Sequence, residues 1–273
     1  MRLLVIIALF CCLTTRAQDS LSNWKFLKEY PLVEDAIWNT DMLQNVYIVH
    51  DRMIAKYDST GIKKFTQSIK SIGQVTEIMP INTMKLVLFS EDQQVLCMLD
   101  NTLTMSENLI DLSDFGIVNA SLATTSSQPD KIWVLDQSNS RLLLLDLAGK
   151  MQFQEVRNLK GVLNLSVITS MTESNGHLFL IGAGKFYEFD MYGTLLNELD
   201  YKYGSDRLPD GVPFEDRFYW MSEDELIVQD LDGGNEKGAK LPVKQIVEFK
   251  KMGDIYYFRT ADKILKYAFK NVR

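Results

Sequence analysis

Histidine and cysteine are both scarce in this chain of 273 residues, with two and three copies. The histidines are His50 and His177, so a Ser-His-Asp site or a histidine-rich metal site would have to use one of them. The sequence has no His/Cys/Asp cluster with metal-ligand spacing, no glycine-rich phosphate loop after a strand and no paired-carboxylate motif. We therefore expect no metal, no cofactor and no catalytic residue, and we predict that the chain is not an enzyme.

Long apolar runs are also absent, apart from one at the start of the chain. Leu3–Leu13 is too short to span a membrane, follows Arg2, and precedes a small-x-small site at Thr15-Arg16-Ala17. This pattern predicts a signal peptide over residues 1–17 and a mature chain from Gln18, exported to the periplasm or beyond the cell. The Ala17-Gln18 junction resembles signal-peptide ends common in Bacteroidetes-type bacteria.

The three cysteines decide whether a lipid anchor or a disulfide is expected. Cys11 and Cys12 lie near the end of the apolar run, which leaves lipid anchoring open as an alternative, although Phe10 is not the small residue that a lipobox needs before its cysteine. Cleavage would leave Cys97 alone, so no internal disulfide can form. Cys97 lies inside the apolar run Val95–Leu99 and is predicted to be a buried, inert thiol.

Positive charge is in deficit. The chain has 29 Lys and Arg against 36 Asp and Glu, a net charge of −7, and loss of Arg2 and Arg16 would bring the mature chain to −9. An acidic chain disfavours nucleic acid and anionic membrane surfaces as partners. We expect no nucleic-acid partner, no membrane span and a monomer.

The chain does contain a weak internal repeat of about 40 to 46 residues. Each copy has an apolar strand, a short polar turn and a second apolar strand that ends in Asp in the first five copies, namely Asp58, Asp100, Asp146, Asp190 and Asp230. Repeats of this length built only from strands indicate a β-propeller. The Asp is often followed three residues later by Gly, and we interpret this as a β-turn that the Asp side chain caps.

Four strands can be assigned to most copies. The first apolar strand of each pair is apolar at successive positions, which suits a strand covered on both faces. Candidates for the innermost strands are Asp35–Trp38, Val75–Ile78, Val118–Ser121, Leu165–Ile168 and Ile246–Phe249. Candidates for outermost strands include Ile62–Phe65 and Leu195–Glu198. Six copies predict an all-β fold, a six-bladed propeller that forms a single domain over residues 18–273.

The ends of the repeat pattern fit together. The last copy stops after its third strand near Phe269, whereas an unassigned strand, Trp24–Tyr30, precedes the first copy. We predict that this N-terminal strand completes the last blade and closes the ring, which also hides sheet edges.

The pattern resembles bacterial six-bladed propellers of the NHL-repeat or YncE-like kind over roughly residues 24–269. The resemblance lies in strand spacing, since the sequence has no repeated Gly-His and Trp-Asp pairs, no kelch double glycine and no YWTD tetrad; Trp38-Asn39-Thr40-Asp41 matches the last only in part. It implies a fold, and function has to be argued from the site.

The longest irregular stretch, Tyr201 to Asp216, is the predicted binding element. Long loops on propellers often bind partners, and Tyr and Arg are favoured at interfaces. The alternative is a degenerate inner strand of blade five with a decorative loop. The predicted contact residues are Tyr201, Tyr203, Arg207 and Phe214, together with His50, Arg52 and Arg141 from hairpin turns expected on the same face.

The predicted function is an exported, non-catalytic scaffold that binds an envelope protein or a small ligand. A complete scaffold, loops that differ from blade to blade and few catalytic residue types favour this interpretation. Two alternatives stay open: a small-ligand or glycan sensor, and a propeller hydrolase or lyase that uses acidic residues and His50 at the channel mouth.

Overall fold

The computed structural model describes residues 23–105, 109–201, 211–222 and 224–270. The predicted signal peptide, residues 1–17, lies outside the described residues and stays a prediction. In the described part of the chain, no helix is both long enough and apolar enough to span a bilayer.

Within these ranges 24 strands form six antiparallel sheets of four strands each. In five of the sheets the strands follow sequence order from the inside to the outside, and in the sixth the first strand of the chain is the outer strand. The first strand is β1 (Trp24–Pro31). Blades one to three follow as β2 (Ile37–Thr40), β3 (Val46–His50), β4 (Met53–Tyr57) and β5 (Lys63–Ser68); β6 (Glu77–Pro80), β7 (Lys85–Ser90), β8 (Val95–Asp100) and β9 (Ile110–Asp111); β10 (Ala120–Thr125), β11 (Lys131–Asp136), β12 (Arg141–Asp146) and β13 (Met151–Val156).

The second half of the ring is built in the same way. Blades four to six are β14 (Ser170–Ser174), β15 (His177–Gly182), β16 (Lys185–Phe189) and β17 (Leu195–Asp200); β18 (Val212–Phe214), β19 (Arg217–Ser222), β20 (Glu225–Asp230) and β21 (Glu236–Lys240); and β22 (Glu248–Met252), β23 (Ile255–Arg259) and β24 (Lys263–Phe269). Short 3₁₀ turns span Lys70–Ile72, Leu112–Phe115, Leu159–Gly161 and Leu165–Val167. The predicted six-bladed propeller is confirmed.

The N-terminal strand closes the ring as predicted. β1 pairs with β24 in antiparallel register from Trp24 opposite Phe269 to Pro31 opposite Lys263, so it is the outer strand of blade six. The indole Nε1 of Trp24 donates to the carbonyl of Lys240 in blade five at 2.7 Å, and its ring lies 5.0 Å from Tyr256. The first strand therefore ties the last blade to its neighbour.

Apolar residues at successive strand positions form the core because each blade is covered on both faces. Ile132–Leu135 in β11 and Leu142–Leu145 in β12 are buried at every position. Side chains that alternate along one strand pack against the preceding blade and the following blade in turn. Cys97 lies in such a strand, is fully buried and has its pKa raised to about 11 by burial, which confirms the inert thiol.

Blade four corrects one strand prediction. Leu165–Ile168 is not an inner strand, because Leu165–Val167 is a 3₁₀ turn and the inner strand is β14. The side chain of Asn164 accepts a hydrogen bond from the backbone N–H of Ser166 at 3.1 Å and so starts the turn. Leu165, inside the turn, has a buried side chain. A local side-chain bond outweighed the strand preference of the apolar residues.

The repeated Asp has the predicted role in turns between third and outer strands. Asp58 accepts from the backbone of Thr60 and Ile62, both at 2.9 Å, and Gly61 has a φ of 82°. Asp190 makes the equivalent bonds, and Gly193 has a φ of 87°. Asp100 and Asp146 also accept backbone hydrogen bonds in their turns, so the repeated Asp fixes the end of the third strand in blades one to four. In blade five the side chain of Asp230 pairs with Arg217, and Asp232 accepts the turn bond from Gly234.

Candidate binding sites on the loop face and in the channel

Two sets of connections share one face of the ring, which we call the loop face. The first set is the hairpin turns between second and third strands. The second set leads from each outer strand to the next inner strand and comprises residues 32–36, 69–76, 112–119, 157–169, 201–211 and 241–247, of which 202–210 lie outside the described residues. The other turns, including the Asp turns, lie on the opposite face, which we call the turn face.

Every connection into an inner strand begins with the same hydrogen bond. The backbone N–H of its first residue, or of the third residue in the connection 157–169, donates to a carbonyl of the hairpin turn in the same blade, at 2.7 to 3.1 Å. The six donors, in chain order, are Leu32, Ile69, Leu112, Leu159, Tyr201 and Leu241. Because this anchor recurs in all six blades, it holds the loop face in place over the sheets.

Tyr201 is therefore the blade-four form of an anchor that is aliphatic in the other five blades. Its ring is buried, 5.2 Å from the ring of Phe218 and 6.0 Å from that of Trp220. The structure gives this side chain a packing role in the core between blades four and five, and its predicted contact with a ligand stays a prediction. Tyr203 and Arg207 lie outside the described residues.

Phe214 lies away from Tyr201, at the end of β18 nearest the turn face. The short strand β18 falls inside the stretch that the sequence predicted as a long loop, as the alternative reading expected. The Nζ of Lys251 lies 3.5 Å from the centroid of the Phe214 ring and donates to the carbonyl of Gly253 at 2.6 Å. Burial lowers the pKa of Lys251 to about 8. Phe214 thus joins blades five and six.

Arg141 is committed to contacts within the protein. Its Nε donates to Asp136 at 3.0 Å, its Nη1 to Glu155 at 2.8 Å and its Nη2 to the carbonyl of Gly116 at 2.5 Å. Arg157 and Arg141 together hold the pKa of Glu155 down at about 2. Arg141 joins its hairpin turn to the neighbouring connection, so it is a structural residue of the loop face.

The structure places His50 and Arg52 on the exposed loop face. Their hairpin turn has Asp51 and Arg52 in left-handed backbone, with φ of 48° and 57°. His177 lies on the turn face, with its Nδ1 at 2.5 Å from the buried carboxylate of Glu188. The two histidines are therefore on opposite faces and cannot form one site.

Four exposed valines on the loop face were missed by the sequence analysis. Val33, Val118, Val162 and Val247 are 46, 67, 47 and 37% exposed, and each lies in a different connection into an inner strand. An isolated exposed valine is ordinary, but four on one face make a repeated apolar feature among polar loops. Their common place in the connections that lead into inner strands is a signal that an alignment of the repeats could have shown.

The longest described connection, residues 157–169, forms an open groove on the same face. Two 3₁₀ turns fold this segment, and the groove of about 660 Å³ lies along residues 160–166 and Gln137. The exposed Val162 is part of its lining. The groove makes this side of the loop face concave.

A second cavity, of about 480 Å³, is the channel at the centre of the ring. Residues from the inner strands of all six blades line it. Six of the lining residues are threonines, namely Thr40, Thr76, Thr124, Thr125, Thr169 and Thr172. The cavity is large enough for a small ligand, and its wall is rich in groups that form hydrogen bonds.

The cations that line the channel all belong to blade six. They are Lys250 and Lys251 of β22 and Arg259 of β23. The carboxylate of Glu248 accepts from the indole Nε1 of Trp38 in blade one at 2.7 Å, and it lies 3.3 Å from Arg259 and 3.4 Å from Lys250. Blade six and blade one thus meet through a charged wall of the channel.

Comparison with known proteins gives a likeness in structure alone. No protein-family model matches the sequence, and no curated protein matches it. Among solved structures, virginiamycin B lyase from Staphylococcus aureus matches with a TM-score of 0.59 and 12% identity, covering 86% of this chain and 80% of that chain. The WD40 domain of Pan2 from Neurospora crassa matches with a TM-score of 0.61 and 9% identity, covering 92 and 96%.

BamB from Moraxella catarrhalis is a third structure of the same kind. It has a TM-score of 0.55 and 9% identity, and the match covers 92% of this chain and 99% of that chain. At such identities the likeness carries the fold and no activity. The structural matches agree with the strand topology of this chain, which is a six-bladed β-propeller.

Proposed function

We propose that this chain is a non-catalytic scaffold, exported to the bacterial envelope, that binds another protein on its loop face. The observation that carries the proposal is the set of exposed valines, Val33, Val118, Val162 and Val247, on four connections of one face. Protein interfaces combine apolar contacts with a polar rim, and these valines stand among charged and polar loop residues.

The rigidity of the face also favours binding. Each connection is held by the repeated anchor hydrogen bond, so the valines stand on loops whose positions are fixed before a partner arrives. A preorganised surface loses less conformational entropy on binding than a mobile one. The groove along residues 160–166 adds a concave element into which a partner side chain can fit.

Catalysis finds less support in the described residues. Within residues 23–270 as described, no group of three or more His, Cys, Asp and Glu is arranged to hold a metal ion. His50 is exposed on a hairpin turn, and the carboxylate that pairs with a histidine, Glu188, serves His177 on the other face. A lyase of the same fold shows that propellers can host enzymes, so the proposal rests on these residues and not on the fold.

The test compares charged substitutions on the two faces. Val118→Asp and Val162→Asp, alone and combined, introduce charge at exposed positions, so folding should be unaffected. Met42→Asp, at an 83% exposed residue on the turn face, is the matched control. Mature protein that carries a photo-crosslinker at residue 33, another exposed position of the loop face, is incubated with envelope extract, and the crosslinked protein is quantified by mass spectrometry.

We expect the double Asp variant to lose the crosslinked partner at least tenfold, while the Met42 variant keeps it. An equal loss in the Met42 variant, or no crosslinked protein with the unchanged chain, would contradict the proposal. Loss of a detected activity in His50→Ala would point to the enzyme alternative.

A further inference from the structure

The rim of the ring carries lysines and exposed apolar residues side by side where blade six meets blade one. They belong to two segments, Lys25–Lys28 on β1 and Ile62–Phe65 at the start of β5. β1 and β5 are the outer strands of their blades, so both segments lie on the circumference of the molecule. We call these eight residues the rim patch.

Two contacts show that the halves of the rim patch are neighbours. The side chain of Lys28 crosses Gly61 so closely that no side chain could be placed on that glycine, and Ile62 is the next residue. Further along the same boundary, the ring centroids of Tyr30 and Tyr57 lie 5.9 Å apart. The rim patch is therefore a surface that continues from one blade to the next.

The apolar members of the rim patch are exposed in spite of their size. Phe26, Leu27, Ile62 and Phe65 are 51, 37, 56 and 40% exposed. Single apolar residues on a surface are ordinary, but a group of four large ones marks a surface that contacts something.

The lysines give the rim patch an excess of positive charge. The two carboxylates next to it in sequence each lie beside a lysine, Asp58 at 3.0 Å from Lys64 and Glu29 at 3.7 Å from Lys263. Three of its four lysines form no ion pair in the described part of the chain, namely Lys25, Lys28 and Lys63. The patch therefore suits an anionic partner.

The residue types favour a lipid surface over an acidic protein. Lysine is depleted in protein–protein interfaces, whereas lysines interleaved with Phe and Leu are typical of protein surfaces that lie on anionic lipid. Lysine stems can lie along apolar neighbours while the ammonium groups reach the phosphates. The patch also lies on the convex circumference of the ring, which a broad, flat partner can cover.

The acidic net charge of −7 does not oppose such a contact locally. Screening weakens interactions between exposed charges beyond about 8 Å at physiological ionic strength. A bilayer at the rim therefore interacts mainly with the lysines next to it, and each lysine near an anionic lipid surface contributes about 1 kcal/mol. Net charge describes the whole molecule and hides this patch.

We propose that the rim patch binds the surface of an anionic phospholipid bilayer, with its apolar side chains among the headgroups and its lysines on the phosphates. The rim lies between the loop face and the turn face, so a bilayer at the rim leaves the loop face open. This inference and the proposed protein-binding function can therefore fail independently.

The test is cosedimentation of the mature protein, residues 18–273, with lipid vesicles. Vesicles of phosphatidylethanolamine and phosphatidylglycerol are compared with vesicles of phosphatidylcholine alone. We expect binding to the anionic vesicles to be at least tenfold tighter, and to weaken as salt is added, because the lysines supply much of the attraction.

Paired variants locate the contact on the molecule. Lys25→Gln combined with Lys63→Gln should weaken binding to the anionic vesicles about tenfold or more. The matched control combines Lys150→Gln with Lys160→Gln, two exposed lysines in blade three and in the connection after it, across the ring. Both double variants change the net charge equally, so a difference between them reports the place of contact.

A fluorescent label tests whether the apolar side chains enter the headgroup layer. Phe65→Cys and, as the control, Phe153→Cys on the outer strand of blade three are each labelled with a polarity-sensitive dye; Phe153 is 54% exposed. Cys97 is fully buried, so the dye reacts at the new cysteine. We expect the emission at residue 65 to shift to the blue on anionic vesicles, and the emission at residue 153 to stay unchanged.

Several outcomes would overturn the proposal. Failure to bind the anionic vesicles, equal binding to phosphatidylcholine, an equal loss in the two double variants, or an equal dye shift at both positions would each do so. A dimer in sedimentation velocity that the Lys25 and Lys63 substitutions disperse would assign the rim patch to a second copy. Polyglutamate that binds as tightly as the vesicles would assign it to an acidic protein, and either result would exclude lipid as the occupant.

Discussion

At the scale of single residues, the turns on one face are set by carboxylates that collect hydrogen bonds. Asp58 accepts from the Thr60 hydroxyl at 2.6 Å as well as from two backbone N–H groups, and Lys64 lies 3.0 Å away. The Thr60 hydroxyl and the Ile62 N–H hold the pKa of Asp58 well below its usual range. Hydrogen bonds to the ionised form, more than burial, make these turns stable.

This arrangement predicts a pH dependence. Because the pKa of Asp58 is lower in the folded chain, its ionised form stabilises the fold fully above the unfolded pKa, near 4, and this stabilisation is lost as pH falls below that value. Asp58→Asn mimics the protonated carboxyl, so the variant should have a lower Tm at pH 7, and the difference from the unchanged protein should shrink below pH 4.

Thermal unfolding of both proteins between pH 7 and pH 2.5 makes the measurement. Asp51→Asn, on the loop face, is the matched control, because Asn tolerates the left-handed backbone of that position and no such turn depends on it. A Tm difference for Asp58→Asn that stays constant over this range would show that its ionisation does not hold the turn.

In blade two the Asp-x-x-Gly pattern is absent, although the turn has the same backbone conformation. Gly61 and Gly193 occupy the left-handed position of their turns, yet Leu103 occupies it in blade two with a φ of 68°. Left-handed backbone costs a non-glycine residue about 1–2 kcal/mol, but Leu103 is fully buried, and burial of a leucine is worth about as much or more. Tertiary packing decided the residue type at this position, so the local sequence lacks the glycine that would have predicted the turn.

At the scale of elements, the strand that closes the ring is held by one indole. Trp24 is buried among Tyr256, Phe258 and Phe269 and donates to the Lys240 carbonyl, whereas Phe26 on the same strand is 51% exposed. Strand pairing alone would leave β1 as a replaceable edge. The indole adds contacts that span blades five and six.

Trp24→Ala should therefore destabilise the protein by about 3–5 kcal/mol, since it removes a buried ring and leaves a carbonyl without its donor. Phe26→Ala, the matched control, should cost less than about 1 kcal/mol. Urea unfolding followed by circular dichroism measures both. Equal costs for the two variants would mean that Trp24 does not hold the closing strand.

Strands were largely predictable because their cause is local. Runs such as Ile132–Leu135 are apolar at every position, and this pattern follows directly from burial on both faces. Leu165–Ile168 has the same apolar character but forms a turn, because Asn164 offers a competing hydrogen bond. The channel wall between blades six and one was not predictable, since Thr40 and Arg259 line it only after the ring has brought distant segments together.

At the scale of the whole molecule, the two ends of the described chain are joined by a hydrogen bond. The backbone N–H of Lys270 donates to the carbonyl of Asn23 at 2.7 Å. The blades pack on one another all round the ring, so we expect them to unfold in one cooperative transition.

This geometry predicts that a circular permutant will fold. A short Gly-Ser linker joins residue 270 to residue 23, and new ends open between Ala148 and Gly149 in an exposed turn. We expect the same circular dichroism spectrum and a single thermal transition, because tolerated permutations use exposed turns and adjacent ends. A permutant opened inside β12, between Leu143 and Leu144, is the control that should fail. An unfolded or aggregated first permutant would show that the ends are not joined in this way.

The pairing of β1 with β24 also determines when the ring can close during synthesis of the chain. During synthesis β1 is made first and β24 last, and contacts such as that of Arg259 with the Glu34 carbonyl join residues 225 positions apart. Until the last strand emerges, β1 has no partner and its tryptophan has no buried place. Every new molecule thus passes through an interval in which β1 is unpaired and the last blade is incomplete, and in this interval it is most exposed to aggregation and proteolysis.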